Sequence, residues 1–281
     1  MNGFIRIKEY EESYTTTEKL ISKYILEHGN EVLNYSAQTL GEKTNTSAAA
    51  IIRFSKKIGF KGFSDLKMNL AQSQMTEEPT KDVDIIFKED DDINTLVEKG
   101  RQLNMNTVLK TYQLINTHDL QHAIQLLCNA STIYLFGVGG SSVIANDIQQ
   151  KLMRIGKKVI YNTDLHIQMT FTQSMTQDDV ALIISYSGTT RGIVDITKTL
   201  NTKNIKTISI TQLNPNTISK NSTINLKVPN EEKELRIGAV SSRISSFVIT
   251  DLLYYGVFKD QYKEHKTNLI DSRNNISILK K

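Results

Sequence analysis

Apolar positions along the chain follow two different rhythms. In "TTTEKLISKYILEH" the side chains of Leu20, Ile21, Tyr24, Ile25 and Leu26 recur close to every 3.6 residues, the spacing of a helix with one buried face. Thr15 or Thr17 is placed to cap this helix, and Glu18, three residues after Thr15, completes a capping box. "SAQTLGEKTN" predicts a short second helix capped by Ser36. "SAAAIIRFSKKIGF" predicts a third, capped by Ser47 and stopped by Gly59, and "GFSDLKMNLAQSQ" a fourth. No strand pattern occurs before residue 80.

The second rhythm starts after a helical stretch, "NMNTVLKTYQLINTHDLQHAIQLLCNA", which predicts one or two helices. Short apolar runs then recur: "TIYLFGV", "KKVIYN", "DVALIISY", "IKTISIT" and "TINLKV". Each leads through a turn into a helical segment. Parallel strands covered on both faces read as unbroken apolar runs of this kind. The alternation predicts a doubly wound α/β sheet of about five strands, with helices on both faces.

Composition adds a boundary between the two regimes. Hydrophobic residues make up 39% and charged residues 23%, which suffices for a real core, and the net charge is only +4. The charge is uneven, however. Between Glu42 and Lys67 six basic residues face two acids, whereas between Thr76 and Asp92 eight acids face two lysines. A basic segment followed by an acidic, Pro79-containing stretch marks a domain junction. The expected organisation is therefore a helical domain at 1–75, an acidic linker at 76–97 and an α/β domain at 98–281. The lone Cys128 cannot form an internal disulfide, so a reducing cytoplasm is expected. No signal peptide and no apolar run of the ~20 residues that span a bilayer is visible.

Candidate chemistry sits at two predicted strand ends, where open α/β sheets bind ligands. "FGVGGSS" (136–142) and "SYSGTT" (185–190) hold Gly139, Ser141, Ser142, Ser185, Ser187, Gly188, Thr189 and Thr190. Each loop runs into a predicted helix, whose first N–H groups lack partners. Hydroxyls add neutral donors, and Gly139 and Gly188 let the backbone come close. Such a cradle suits a phosphate. The same residues could instead be ordinary caps and turn glycines. A dinucleotide loop is a further alternative, since Gly137 and Gly139 have the first spacing and Asp164 follows the second strand, but Ser142 replaces the third glycine. A P-loop is excluded because no Gly-Lys-Ser/Thr follows.

These loops resemble those of the sugar isomerase (SIS) fold over roughly residues 98–265, with "ISYSGTT" similar to its second phosphate loop. The resemblance implies a five-stranded parallel sheet, usually dimeric, that binds a phosphosugar through Ser141, Ser142, Ser185, Ser187, Thr189 and Thr190. Tyr186 departs from the family, where a small side chain or histidine is common. Residues 10–75, above all "IRFSKKIGFKGFSDLK", resemble the RpiR-type helix-turn-helix module. The pairing of that module with a SIS domain implies an RpiR-family transcription regulator that binds operator DNA and senses a phosphosugar effector.

The third helix agrees with this on physical grounds. Ile51, Phe54 and Ile58 share one face and would pack inward. Ala48, Ala49, Ile52, Arg53, Lys56 and Lys57 lie opposite, after the capping Ser47; the small residues allow close approach to a major groove. Lys56, Lys57 and Lys61 could reach phosphates, and Arg53 a phosphate or a guanine edge. Asn45 holds the turn position where glycine is frequent, and Thr46 and Ala50 also depart from the motif.

An isomerase would need a positioned base. Glu234 stands where some SIS enzymes carry an acid–base carboxylate; it could also bind sugar hydroxyls or lie at the surface. His166 is expected on a helix surface or interface, and no metal-ligand spacing occurs. The expectation is thus a regulator without catalytic residues, metal or cofactor, acting as a homodimer or homotetramer. The late segment "SSRISSFVITDLLYYGVF" offers either a dimer surface or core packing.

Overall fold

The computed structural model describes residues 3–74, 88, 90–231 and 238–278. It divides into two compact units, Met1–Gln102 and Leu103–Lys281.

The first unit contains α1 (Gly3–Glu9), α2 (Thr16–Glu27), α3 (Gly29–Val32), α4 (Ala37–Lys43), α5 (Ala48–Lys57) and α6 (Phe63–Gln74). Thr15, not Thr17, caps α2, and Glu18 returns a bond to the Thr15 N–H at 2.8 Å, completing the capping box. Ser36 caps α4 and Ser47 caps α5, as the sequence predicts. The turn between α4 and α5 runs through Asn45 at φ +52, a left-handed conformation that asparagine tolerates better than most side chains. Thr46 keeps its hydroxyl satisfied by pairing with that of Thr44 at 2.9 Å. Ile21, Ile25, Leu40, Ile51, Phe54 and Ile58 form the core of the unit. The α1 helix, which no periodicity announces, brings buried Arg6 to the end of α5, where its guanidinium donates to the Ile58 carbonyl at 2.7 Å.

The second unit is built on β1 (Ile133–Phe136), β2 (Val159–Ile160), β3 (Val180–Ile184), β4 (Lys206–Gln212) and β5 (Ile224–Val228). All pairings are parallel, in the order β2-β1-β3-β4-β5. The chain reverses its direction of travel across the sheet between β1 and β3, so their carboxyl ends form the switch point. Phe136 lies beside Ile183, which sets the two hydroxyl-rich loops next to each other. Leu135, Leu182 and Ile184 face one core; Tyr134, Phe136, Ala181 and Ile183 face the other. Burial on both faces is the reason these strands read as continuous apolar runs.

The helices are α7 (Ile93–Leu114), α8 (Thr117–Asn129), α9 (Gly140–Arg154), α10 (Leu165–Ser174), α11 (Arg191–Thr202), α12 (Thr217–Lys220), α13 (Ser241–Asp260) and α14 (Tyr262–Ile278). The division between the units falls within α7. Most of the expected acidic linker lies outside the described residues, and its last five residues already belong to α7. The predicted helical stretch before β1 is two helices, because Asn116 caps a new one. The candidate dimer stripe on α13 is core: Ile249, Leu253 and Val257 are buried, and Gly256 sits too close to Ile124 for any side chain. Cys128 packs beside this core, and burial pushes its thiol up to about 11, so it stays protonated and inert at neutral pH. Among the described residues, no helix is long and apolar enough to cross a membrane.

Candidate functional site

A cleft of about 120 Å³ opens at the carboxyl ends of β1 and β3. Its walls come from three places. Val138, Gly140, Ser141 and Ile144 follow β1; Ile184 ends β3, and Ser185, Tyr186, Ser187, Thr190 and Ile193 follow it; Ala239, Ser242, Arg243 and Ser246 lie at the start of α13. The N-terminal turns of α9, α11 and α13 therefore meet at one cleft. None of the three has an acidic residue in its first turn, and none is capped by a side-chain hydrogen bond. Each points the positive end of its dipole there.

Ser187 makes a local turn bond, accepting from the Thr189 N–H at 3.4 Å, but no hydroxyl caps these three helices. Thr190 occupies the cap position of α11 without making the capping bond. Ser142 donates to the Gly139 carbonyl at 2.6 Å. Ser185 differs from all of these: it is 4% exposed, lines the cleft, and its Oγ has no hydrogen-bond partner. Leaving a buried hydroxyl unpaired costs about 1–3 kcal/mol.

Both loops are held from behind. The side-chain amide of fully buried Gln168 clasps the Gly137 peptide, accepting from its N–H at 3.1 Å and donating to its carbonyl at 3.0 Å. Tyr161 adds a bond to the same carbonyl at 3.1 Å. Gly188, at φ +66, presses so closely on Asn216 that a Cβ would lie 2.0 Å from its Oδ1. Asn216 in turn bonds the Thr211 hydroxyl and the Ser219 N–H. Asp164, the acid a dinucleotide site would need, is occupied in capping α10. His166 is exposed on α10, outside the cleft.

In the first unit, Ala49, Ile52, Arg53 and Lys56 are exposed along one face of α5, at helical spacing. Arg53 and Lys56 have no side-chain partner among the described residues. Lys61 is exposed just beyond the helix, while Ser47 caps it and Ala48 is half-buried. Lys57 is not brought to this face. Its ammonium pairs with Glu18 at 2.6 Å, donates to the Ser13 carbonyl at 2.8 Å and lies over the Tyr14 ring. Partial burial works to raise the Glu18 carboxyl, but the hydrogen bonds from Lys57 and Thr15 outweigh it and hold the group below the usual carboxylate range. Lys57 thus ties α5 to the cap of α2.

A helix-turn-helix model of the rpiR family matches residues 1–77, and a SIS domain model matches residues 126–255. An uncharacterized HTH-type transcriptional regulator of Caldanaerobacter subterraneus is 35% identical over 258 residues, spanning 92% of this chain and 91% of that protein. The chain belongs to the RpiR family of helix-turn-helix transcriptional regulators. YbbH of Bacillus subtilis, also an HTH-type transcriptional regulator, is 31% identical across 96% of this chain and 94% of its own. Among solved structures, the Vibrio vulnificus NanR protein complexed with ManNAc-6P matches 99% of both chains at 25% identity and a TM-score of 0.62. The sugar isomerase domain of an RpiR transcription factor from Sphaerobacter thermophilus shares the fold, with a TM-score of 0.57 at 13% identity, over 64% of this chain and 98% of that one.

Within this RpiR-family regulator the cleft gathers Ser141, Ser185, Ser187 and Thr190. Gly139, Ser142, Gly188 and Thr189 shape the two loops without lining it. Glu234 lies outside the described residues. The residue that sequence reasoning missed is Arg243, the only formal charge among the described lining residues. It sits more than fifty residues beyond the second loop, in a segment read only for its apolar stripe, so no local motif announced it.

Proposed function

We propose that the SIS unit senses a phosphorylated sugar in the cleft and that occupancy alters how the helix-turn-helix unit binds operator DNA. The unpartnered hydroxyl of Ser185 carries this reading. A buried donor without an acceptor, at a wall free of carboxylates among the described residues, is matched by an anion's oxygen. Arg243 and the three helix N-termini favour the same charge. The NanR protein is a relative whose structure holds ManNAc-6P. A thermal-shift screen of hexose 6-phosphates and N-acetylhexosamine 6-phosphates tests the proposal, because a ligand that binds only the folded state raises its melting point. No shift with any of them would refute it.

For DNA, we assign the exposed face of α5 to the major groove, with Arg53 and Lys56 as its cations and Lys61 reaching a flanking phosphate. Arg53→Ala is expected to cost about 1–3 kcal/mol of operator affinity in a mobility-shift titration. Unchanged binding would remove that contact. The acting form in this reading is a homodimer or homotetramer, which sets two such helices about 34–36 Å apart on successive turns of the duplex.

The sensor reading is favoured over an isomerase by the cleft's chemistry. Its described walls offer hydroxyls, amides and a guanidinium, which bind an anion, whereas aldose–ketose exchange needs a positioned base. Incubation with the same sugar phosphates is expected to give no turnover by NMR. Isomerisation that disappears in Glu234→Gln would establish the enzyme instead.

A further inference from the structure

We propose that Tyr186 and Glu231 carry occupancy of the cleft to α7, an inference that rests on the sensor reading above. Tyr186 stands between Ser185 and Ser187 and lines the cleft with them. The hydroxyl binds two peptide groups beyond the end of β5. It donates to the Pro229 carbonyl at 3.0 Å and accepts from the Glu231 N–H at 2.9 Å. The backbone of Tyr186 is fixed as well, accepting from the Gln212 N–H at 2.7 Å. A shift of this loop therefore moves residues 229–231 rather than being absorbed by slack.

Glu231 extends the link. Its carboxylate turns to α7, where it accepts from the Thr107 hydroxyl and lies 2.9 Å from the Lys110 ammonium. The Glu231 side chain is 9% exposed and Thr107 is fully buried. Exposed ion pairs bend with little consequence. A largely buried, hydrogen-bonded carboxylate resists displacement more, because it would lose partners that little solvent replaces. The α7 helix runs without interruption from Ile93 to Leu114, through the division between the units at Gln102. Ligand oxygens drawing on Ser185 and Ser187 would shift Tyr186, alter its hold on residues 229–231, and so change the grip of Glu231 on α7. The effector can bias this link only by the difference in its affinity for the two arrangements.

The test uses the full-length protein and a duplex that the wild type selects from a random pool. Sugar affinity is measured by calorimetry with the panel of hexose and N-acetylhexosamine 6-phosphates, and DNA affinity with and without the sugar phosphate that binds. The wild type is expected to change its DNA affinity about 5–150-fold on binding sugar. Lys110→Gln, which lies away from the cleft, should retain sugar affinity and lose most of that factor, and Tyr186→Phe, which keeps the ring, should lose the same share of it. The double variant should lose no more than either single one. A wild-type factor in both variants would overturn the proposal and leave the sensor intact. Loss of sugar affinity in Tyr186→Phe with a normal factor in Lys110→Gln would make Tyr186 a ligand contact only. A wild type that binds none of the panel would remove the sensor reading and this proposal together.

Discussion

Gly188→Ala is expected to lower the melting temperature of the SIS unit by roughly 5–15 °C and to abolish its response to sugar phosphates. Two costs combine. At φ +66 an L-side chain carries a penalty of about 1–2 kcal/mol. The added methyl would also stand 2.0 Å from the Asn216 Oδ1, within a buried network that holds Thr211, Asn214 and Ser219. Asn216 can yield only by breaking those bonds, and the Gly188 carbonyl would lose its place as acceptor for the Ile218 N–H. The loop presenting Ser185, Ser187 and Thr190 would be displaced with it. Calorimetric melting of the full-length protein reads the effect. A transition unchanged from wild type would show that the loop is not braced in this way.

Ser185→Ala should do the reverse to stability. Its hydroxyl is buried without a hydrogen-bond partner in the protein, so deleting it removes a desolvation cost of about 1–3 kcal/mol and leaves the melting temperature equal or higher. Sugar-phosphate affinity should fall roughly 10–100-fold, the worth of one hydrogen bond to a charged group. A merely structural serine would move the two quantities in the same direction. Loss of stability with unchanged affinity would therefore contradict the assignment of Ser185.

Much of this was legible in the chain because local rules and tertiary demands agreed. The α5 helix follows from Ser47, the Ile51–Phe54–Ile58 spacing and Gly59, and the same spacing leaves Arg53 and Lys56 outside. The strands were visible because both faces of the sheet are covered. What escaped the sequence reading depends on contacts distant along the chain. Lys57 looks like its neighbour Lys56, and only the packing of α2 against α5 turns it to Glu18. Arg243 reaches the cleft because the first turn of α13 meets the two loops, a placement that no spacing encodes. The carboxylate that the structure ties down is Glu231, three residues before the Glu234 singled out from the sequence; its significance comes from α7, more than a hundred residues earlier.

The most direct measurement is calorimetric titration of the full-length regulator with a neutral sugar and its 6-phosphate, side by side, in wild type and Arg243→Gln. Binding of the phosphate ester alone, weakened by the substitution and by added salt, is the result this account predicts. Equal binding of both sugars, or of neither, would contradict it.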